Sequence, residues 1–153
     1  MQFVQAAGYE KVLIEKSETE LQNCILAAQN YNEELKKRQN VMIYPPQEQS
    51  LNHEAYEAVL CMNAEGLMGF IEIPQIHIYL PIYHGTSQEV LEKGIGHLEG
   101  SSMPIGGKNT HAVLTGHRGL PSAELFSNLD QLERDDEFYI HIYNQILAYK
   151  VDK

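Results

Sequence analysis

The chain has 153 residues, 43% hydrophobic, 8% aromatic and 21% charged, the proportions of an ordinary globular domain rather than a disordered chain. Eleven Lys and Arg against 21 Asp and Glu leave a net charge of −10, which argues against nucleic acid or an anionic membrane as partner, because phosphate binding draws on clustered basic side chains. No run approaches the roughly 20 apolar residues of a membrane span, and residues 1–11 lack a basic segment followed by an apolar one, so a soluble chain without an anchor or leader is expected.

From Ser17 to Arg38 the pattern predicts a helix. Ser17 and Glu20 form a capping box, and Leu21, Cys24, Ile25, Ala28, Tyr31 and Leu35 recur at helical spacing. Glu33 with Lys37 and Glu34 with Arg38 add i,i+4 pairs, each contributing about 0.2–0.5 kcal/mol. Gln39 to Ser50 reads as a loop around Tyr44-Pro45-Pro46, where the prolines forbid a helix interior. A short helix follows, capped by Asn52, with Tyr56, Val59 and Leu60 facing inward.

After Gly66 β-branched and aromatic residues alternate between Gly and Pro punctuation. Strands are predicted at Leu67–Ile73, Ile76–Tyr83, Ala112–His117, Phe138–Tyr143 and Gln145–Val151, the last two joined by a turn at Asn144. Ser87–Lys93 and Ser122–Leu132 read as short helical connections, and Gly94–Gly107 as a glycine-rich crossing with an extended piece. The fold class is mainly β with α, a barrel or sandwich preceded by a helical region.

Seven histidines raise the question of a metal. His53, His77, His84, His97, His111, His117 and His141 are scattered and form no H-E-x-x-H pair. Only His111 and His117 share a strand face, and six strand residues span about 20 Å, too far for one ion. Cys24 and Cys61 lack C-x-x-C spacing and read as small buried hydrophobes, with one disulfide open to them. Neither a metal nor a cofactor is therefore expected. His117 stands apart because it ends a strand, where a scaffold holds a side chain able to act as acid or base.

Five blocks in order carry a resemblance. They are Gly69-Phe70-Ile71-Glu72-Ile73-Pro74; Leu80-Pro81-Ile82-Tyr83-His84-Gly85-Thr86; Gly96-His97-Leu98-Glu99-Gly100-Ser101-Ser102; Asn109-Thr110-His111; and Thr115-Gly116-His117-Arg118-Gly119-Leu120-Pro121. Together they resemble the sortases, and most nearly class C, the pilin-polymerising sortases of Gram-positive bacteria. The resemblance divides the chain into an N-terminal helical extension with a lid-like loop, 1–65, and a partial sortase β-barrel, 66–153.

It implies a cysteine transpeptidase outside the cytoplasmic membrane, at the cell wall. A thiolate there cleaves the Thr–Gly bond of a Leu-Pro-x-Thr-Gly sorting signal on a pilin or surface protein, and a lysine of the next pilin resolves the acyl-enzyme. His117 falls on the family's catalytic histidine. The family's nucleophile lies in a Thr-Leu-x-Thr-Cys strand and its arginine in the next strand, both downstream of a segment like Leu147–Asp152, so the barrel is expected to be incomplete by its last two strands and the isolated chain inactive. Cys24, Cys61 and Arg118 do not match those positions. Tyr44 stands where class C lids carry an aromatic plug, without the preceding aspartate. The open edges then call for a partner: the missing half from another polypeptide, a swapped copy, or a dimer. The alternative is a non-catalytic sortase-derived module that binds through those edges.

Overall fold

A computed structural model describes residues 17–39, 53–62, 65–116 and 129–152. Helix α1 spans Glu18–Gln39, and the Glu20 amide donates to the Ser17 hydroxyl at 3.1 Å, as a capping box requires. Its inner stripe, Leu21, Ile25, Ala28, Tyr31 and Leu35, is buried, with Cys24 partly buried beside it. Surface ion pairs form at i,i+3, Glu33–Lys36 and Glu34–Lys37. Helix α2, His53–Ala58, is short and buries Tyr56.

The strands are β1 (Leu67–Ile73), β2 (Ile78–His84), β3 (Ile95–His97), β4 (Leu114–Thr115), β5 (Glu137–Ile142) and β6 (Gln145–Lys150), with helix α3 (Gln88–Lys93) between β2 and β3. They form one sheet ordered β4-β3-β2-β1-β5-β6, in which β2 and β3 are parallel and the other neighbours antiparallel. β1 is covered on both faces, and only Glu72 in it is less than fully buried. β6 at one end alternates between exposed and half-buried residues.

Two strands depart from the predicted bounds. β2 starts at Ile78 because Pro74–Ile76 forms a 3-10 turn and His77 takes the left-handed conformation, φ 56°. Among the described residues, the strand predicted over 112–117 pairs only at Leu114–Thr115. Gly69 sits at a register shift between β1 and β2, and a β-carbon there would lie 2.2 Å from the His141 carbonyl oxygen, so only glycine admits the approach of β5. The hairpin between β5 and β6 turns on Tyr143 and Asn144, with Tyr143 at φ 51°.

A single apolar core joins α1 and α2 to the sheet through Leu35, Tyr56, Met68, Phe70, Ile82, Ile95 and Met103 among others. Asn32 belongs to the buried stripe of α1 and clamps the crossing segment. Its amide nitrogen donates to the Met103 carbonyl at 3.3 Å, and its oxygen accepts the Met103 N–H at 2.6 Å. One turn on, the Lys36 ammonium donates to the Lys108 carbonyl at 2.7 Å.

Candidate active site

The candidate site is built around β4, the strand from which the chain continues through Gly116 to His117. His117 itself, with Arg118 and the candidate plug Tyr44, lies outside the described residues. β4 pairs with β3 over only two residues, Gly96 with Thr115 and His97 with Leu114. Two ladder residues hold a register poorly, and the segment before β4 is fastened by other means.

Those fastenings come from the turn at 98–102, where Gly100 adopts φ 96°. The Leu98 N–H donates to the Val113 carbonyl at 2.9 Å, and the Ser102 N–H to the His111 carbonyl at 3.0 Å. In the opposite sense the Val113 N–H donates to the Ser101 hydroxyl at 3.1 Å and the His111 N–H to the Ser102 hydroxyl at 2.9 Å. Two serine hydroxyls thus stand where a regular ladder would offer carbonyls. The predicted strand over 112–117 is shortened because the chain opposite it has turned away.

Behind this turn lies a buried polar chain. The His97 ring is fully buried, and its Nε2 faces the Ser102 carbonyl at 2.7 Å and the Ser101 hydroxyl at 3.2 Å. A carbonyl oxygen only accepts, so Nε2 carries the proton. Nδ1 is then left to accept from the Tyr56 hydroxyl at 2.8 Å. Burial pushes the His97 pKa down to about 4, aided by the neighbouring His84, while the bond to Ser102 opposes the shift. Tyr56, almost fully buried on α2, also accepts the Gly85 N–H at 3.0 Å, and burial raises its pKa well above the ordinary value.

Beside β4 runs an apolar groove of about 360 Å³. Leu114 of β4 lines one side, Phe138 and Ile140 of β5 and Tyr149 of β6 the other, with Met103 and His111 between them. β4 and β6 are the two ends of the sheet, so the sheet curls into a half-barrel whose edges face one another across this groove. Among the described residues each edge strand has one strand neighbour. The groove offers apolar walls between two strands at the ends of the described sheet, a setting for extended chain.

Neither cysteine lines that groove. Cys24 packs against the core from α1. Cys61 is exposed, not the buried hydrophobe expected, and shares a polar pocket with Glu57, Glu65, His84 and Lys93. The two are not joined in a disulfide. Arg134 pairs with Asp152 at 3.7 Å on the surface. Among the described residues no three His, Cys, Asp or Glu side chains gather as a metal-binding group. The sequence reading missed Tyr56, His97 and Asn32 as structural anchors. The Gly96–Ser102 block pointed to the turn, but nothing local to it signals a partner 41 residues away.

The family model for the sortase domain matches residues 71–153, more than half of the chain. Sortase D of Bacillus subtilis (strain 168) is 35% identical over 85 residues, which cover 56% of this chain and 40% of that protein, so the chain spans well under two thirds of this curated relative's length. Among solved structures, sortase C1 of Streptococcus agalactiae superposes with a TM-score of 0.85 at 41% identity, covering 96% of this chain and 74% of that one. Sortase C of Streptococcus pneumoniae gives 0.79 at 40%, covering 96% and 72%. The helical region before the sheet and the curled mixed sheet both fall within those superpositions. The chain therefore belongs to the sortase family, and within it to class C.

Proposed function

We propose that this chain is the histidine-bearing part of a class C sortase transpeptidase, with 1–65 as extension and lid-like loop and 66–153 as the barrel portion. The observation that carries the reading is the groove between the two sheet edges, beside the strand that runs into Gly116-His117-Arg118-Gly119. The nucleophilic thiolate and the arginine belong to strands this chain does not contain, and the chain alone is expected to be inactive. With those strands supplied, the thiolate attacks the threonine carbonyl of a Leu-Pro-x-Thr-Gly signal and the arginine stabilises the oxyanion. His117 protonates the glycine amine as the Thr–Gly bond breaks, leaving a thioester. A lysine amine of a pilin then attacks, an isopeptide bond forms, and the thiolate departs. The place of action is the outer face of a Gram-positive membrane or its cell wall; among the described residues no helix is long and apolar enough to cross a membrane.

The test is complementation. The chain is mixed with a polypeptide carrying a Thr-Cys strand and an arginine strand, and cleavage of a fluorogenic sorting-signal peptide is followed. Thiol-dependent cleavage that disappears in His117→Ala supports the reading. Cleavage by the chain alone, or unchanged activity in His117→Ala, overturns it. A second reading, a non-catalytic module that pairs through its open edges, draws on Ile146 of β6, a large apolar side chain 65% exposed at one edge. It is favoured if the added polypeptide binds and no cleavage appears.

A further inference from the structure

We propose that His97 is a positioning residue for the sortase reaction, which sets the register of β4, and so the place from which His117 is presented, through the turn at 98–102. The inference rests on the reading of His117 as the catalytic base. It adds a residue that acts through the strand and touches neither substrate nor thiol.

Among the described residues β4 has two ladder residues, too few to fix a register by themselves. Its approach, residues 111–113, is held by the backbone and hydroxyls of Leu98, Ser101 and Ser102. Those groups are aimed by one ring. Nε2–H of His97 holds the Ser102 carbonyl and approaches the Ser101 hydroxyl. With the Ser101 proton committed to the Leu98 carbonyl at 2.7 Å, the oxygen's lone pairs are left to face His97 and the Val113 N–H. The other end of the ring is fixed by Tyr56, whose single hydroxyl proton is shared between Nδ1 at 2.8 Å and the His97 carbonyl at 3.0 Å. The sequence of contacts runs from α2 through Tyr56, His97 and Ser101 to Val113, one residue before β4. The ring is wholly buried, so water does not replace a lost partner without entering the core.

The chemistry demands a ring of this kind. Nε2 must donate and Nδ1 must accept, which a neutral imidazole does and a leucine does not. A glutamine offers an amide N–H near Nε2 and restores the donor to Ser102, and Tyr56→Phe removes only the hydroxyl while keeping the packed ring.

The experiment uses the complete chain of 153 residues with His97→Leu, His97→Gln and Tyr56→Phe. Amide hydrogen exchange is read at His111 and Val113, and the titration of the His117 ring by NMR. In His97→Leu exchange at both amides is expected to rise at least tenfold relative to β1 amides, and the His117 titration to move. Glutamine recovers most of both, and Tyr56→Phe falls between. In the complemented enzyme His97→Leu lowers kcat with KM little changed. If the folded variants exchange like the wild type at 111 and 113 and the His117 titration is unmoved, the proposal is overturned. Should His97→Leu fail to fold, Tyr56→Phe and His97→Gln decide it by the same readings. The NMR arms need no catalysis, so a failed complementation assay counts against the sortase reading and leaves this measurement standing.

Discussion

Acid should unfold this protein through His97 before general carboxylate protonation does. The free imidazole titrates near 6.5, whereas in the folded chain burial holds His97 neutral down to about 4. Between these values the unfolded chain binds a proton that the folded chain refuses, so stability falls as pH is lowered through that window and is unaffected by this group above it. At about 1.4 kcal/mol per pH unit the loss reaches about 2.5 kcal/mol at pH 4.5, a large share of the 5–15 kcal/mol typical of a domain. The assay is urea denaturation from pH 7.5 to 4.5 on the wild type and on His97→Gln, which cannot titrate. The other six histidines and all 21 carboxylates are common to both proteins, so the difference between the two curves isolates His97. The wild type is expected to be the more stable at pH 7.5 and to lose about 2.5 kcal/mol of that advantage by pH 4.5. Parallel curves across the window would refute the buried neutral ring and the hydrogen-bond assignments built on it.

Two further substitutions test the buried polar groups. Among the described residues the buried Tyr31 hydroxyl has no hydrogen-bond partner, and burial pushes its pKa up to about 12. Tyr31→Phe should therefore be neutral or stabilise by up to about 1 kcal/mol, whereas Tyr56→Phe, which strips a paired hydroxyl, should cost about 1–3 kcal/mol. Equal losses in urea melts would contradict that contrast. Asn32→Ala should cost about 1–3 kcal/mol by leaving the Met103 N–H unpaired, while the Met103 carbonyl keeps the Ile105 N–H at 2.8 Å, and a change within about 0.5 kcal/mol would show that the clamp holds nothing.

Most of the strand framework was legible because alternation and turn residues are local signals. β1 occupies Leu67–Ile73 as predicted, and α1 and the β5–β6 hairpin lie within a residue or two of their predicted bounds. The failures have local causes as well. β2 loses its first two residues to the turn that Pro74 starts and His77 ends, and β4 shrinks because serine hydroxyls take the place of ladder carbonyls. The groove was not legible, because its walls come from the two ends of the sheet order and meet only when the sheet curls. Asn32 reads as a polar interruption of an apolar stripe until Met103, 71 residues on, supplies both of its partners.

Four of the seven histidines have partners that explain their presence. His84 faces the Gly66 carbonyl at 2.8 Å and the Val59 carbonyl at 2.6 Å, joining the end of β2 to the chain before and after the 61–65 stretch. His97 joins α2 to the turn at 98–102. His141 reaches Glu72 across β5 and β1 at 3.0 Å, and His53 bridges Glu57 and Glu99, whose carboxylates raise its pKa. Imidazole suits this work because its two nitrogens point in different directions from one rigid ring and so tie two distant segments with a single side chain. In the buried His97 ring the nitrogen that faces the Ser102 carbonyl carries the proton and the other accepts from the Tyr56 hydroxyl, so both are occupied and the ring serves as a connector.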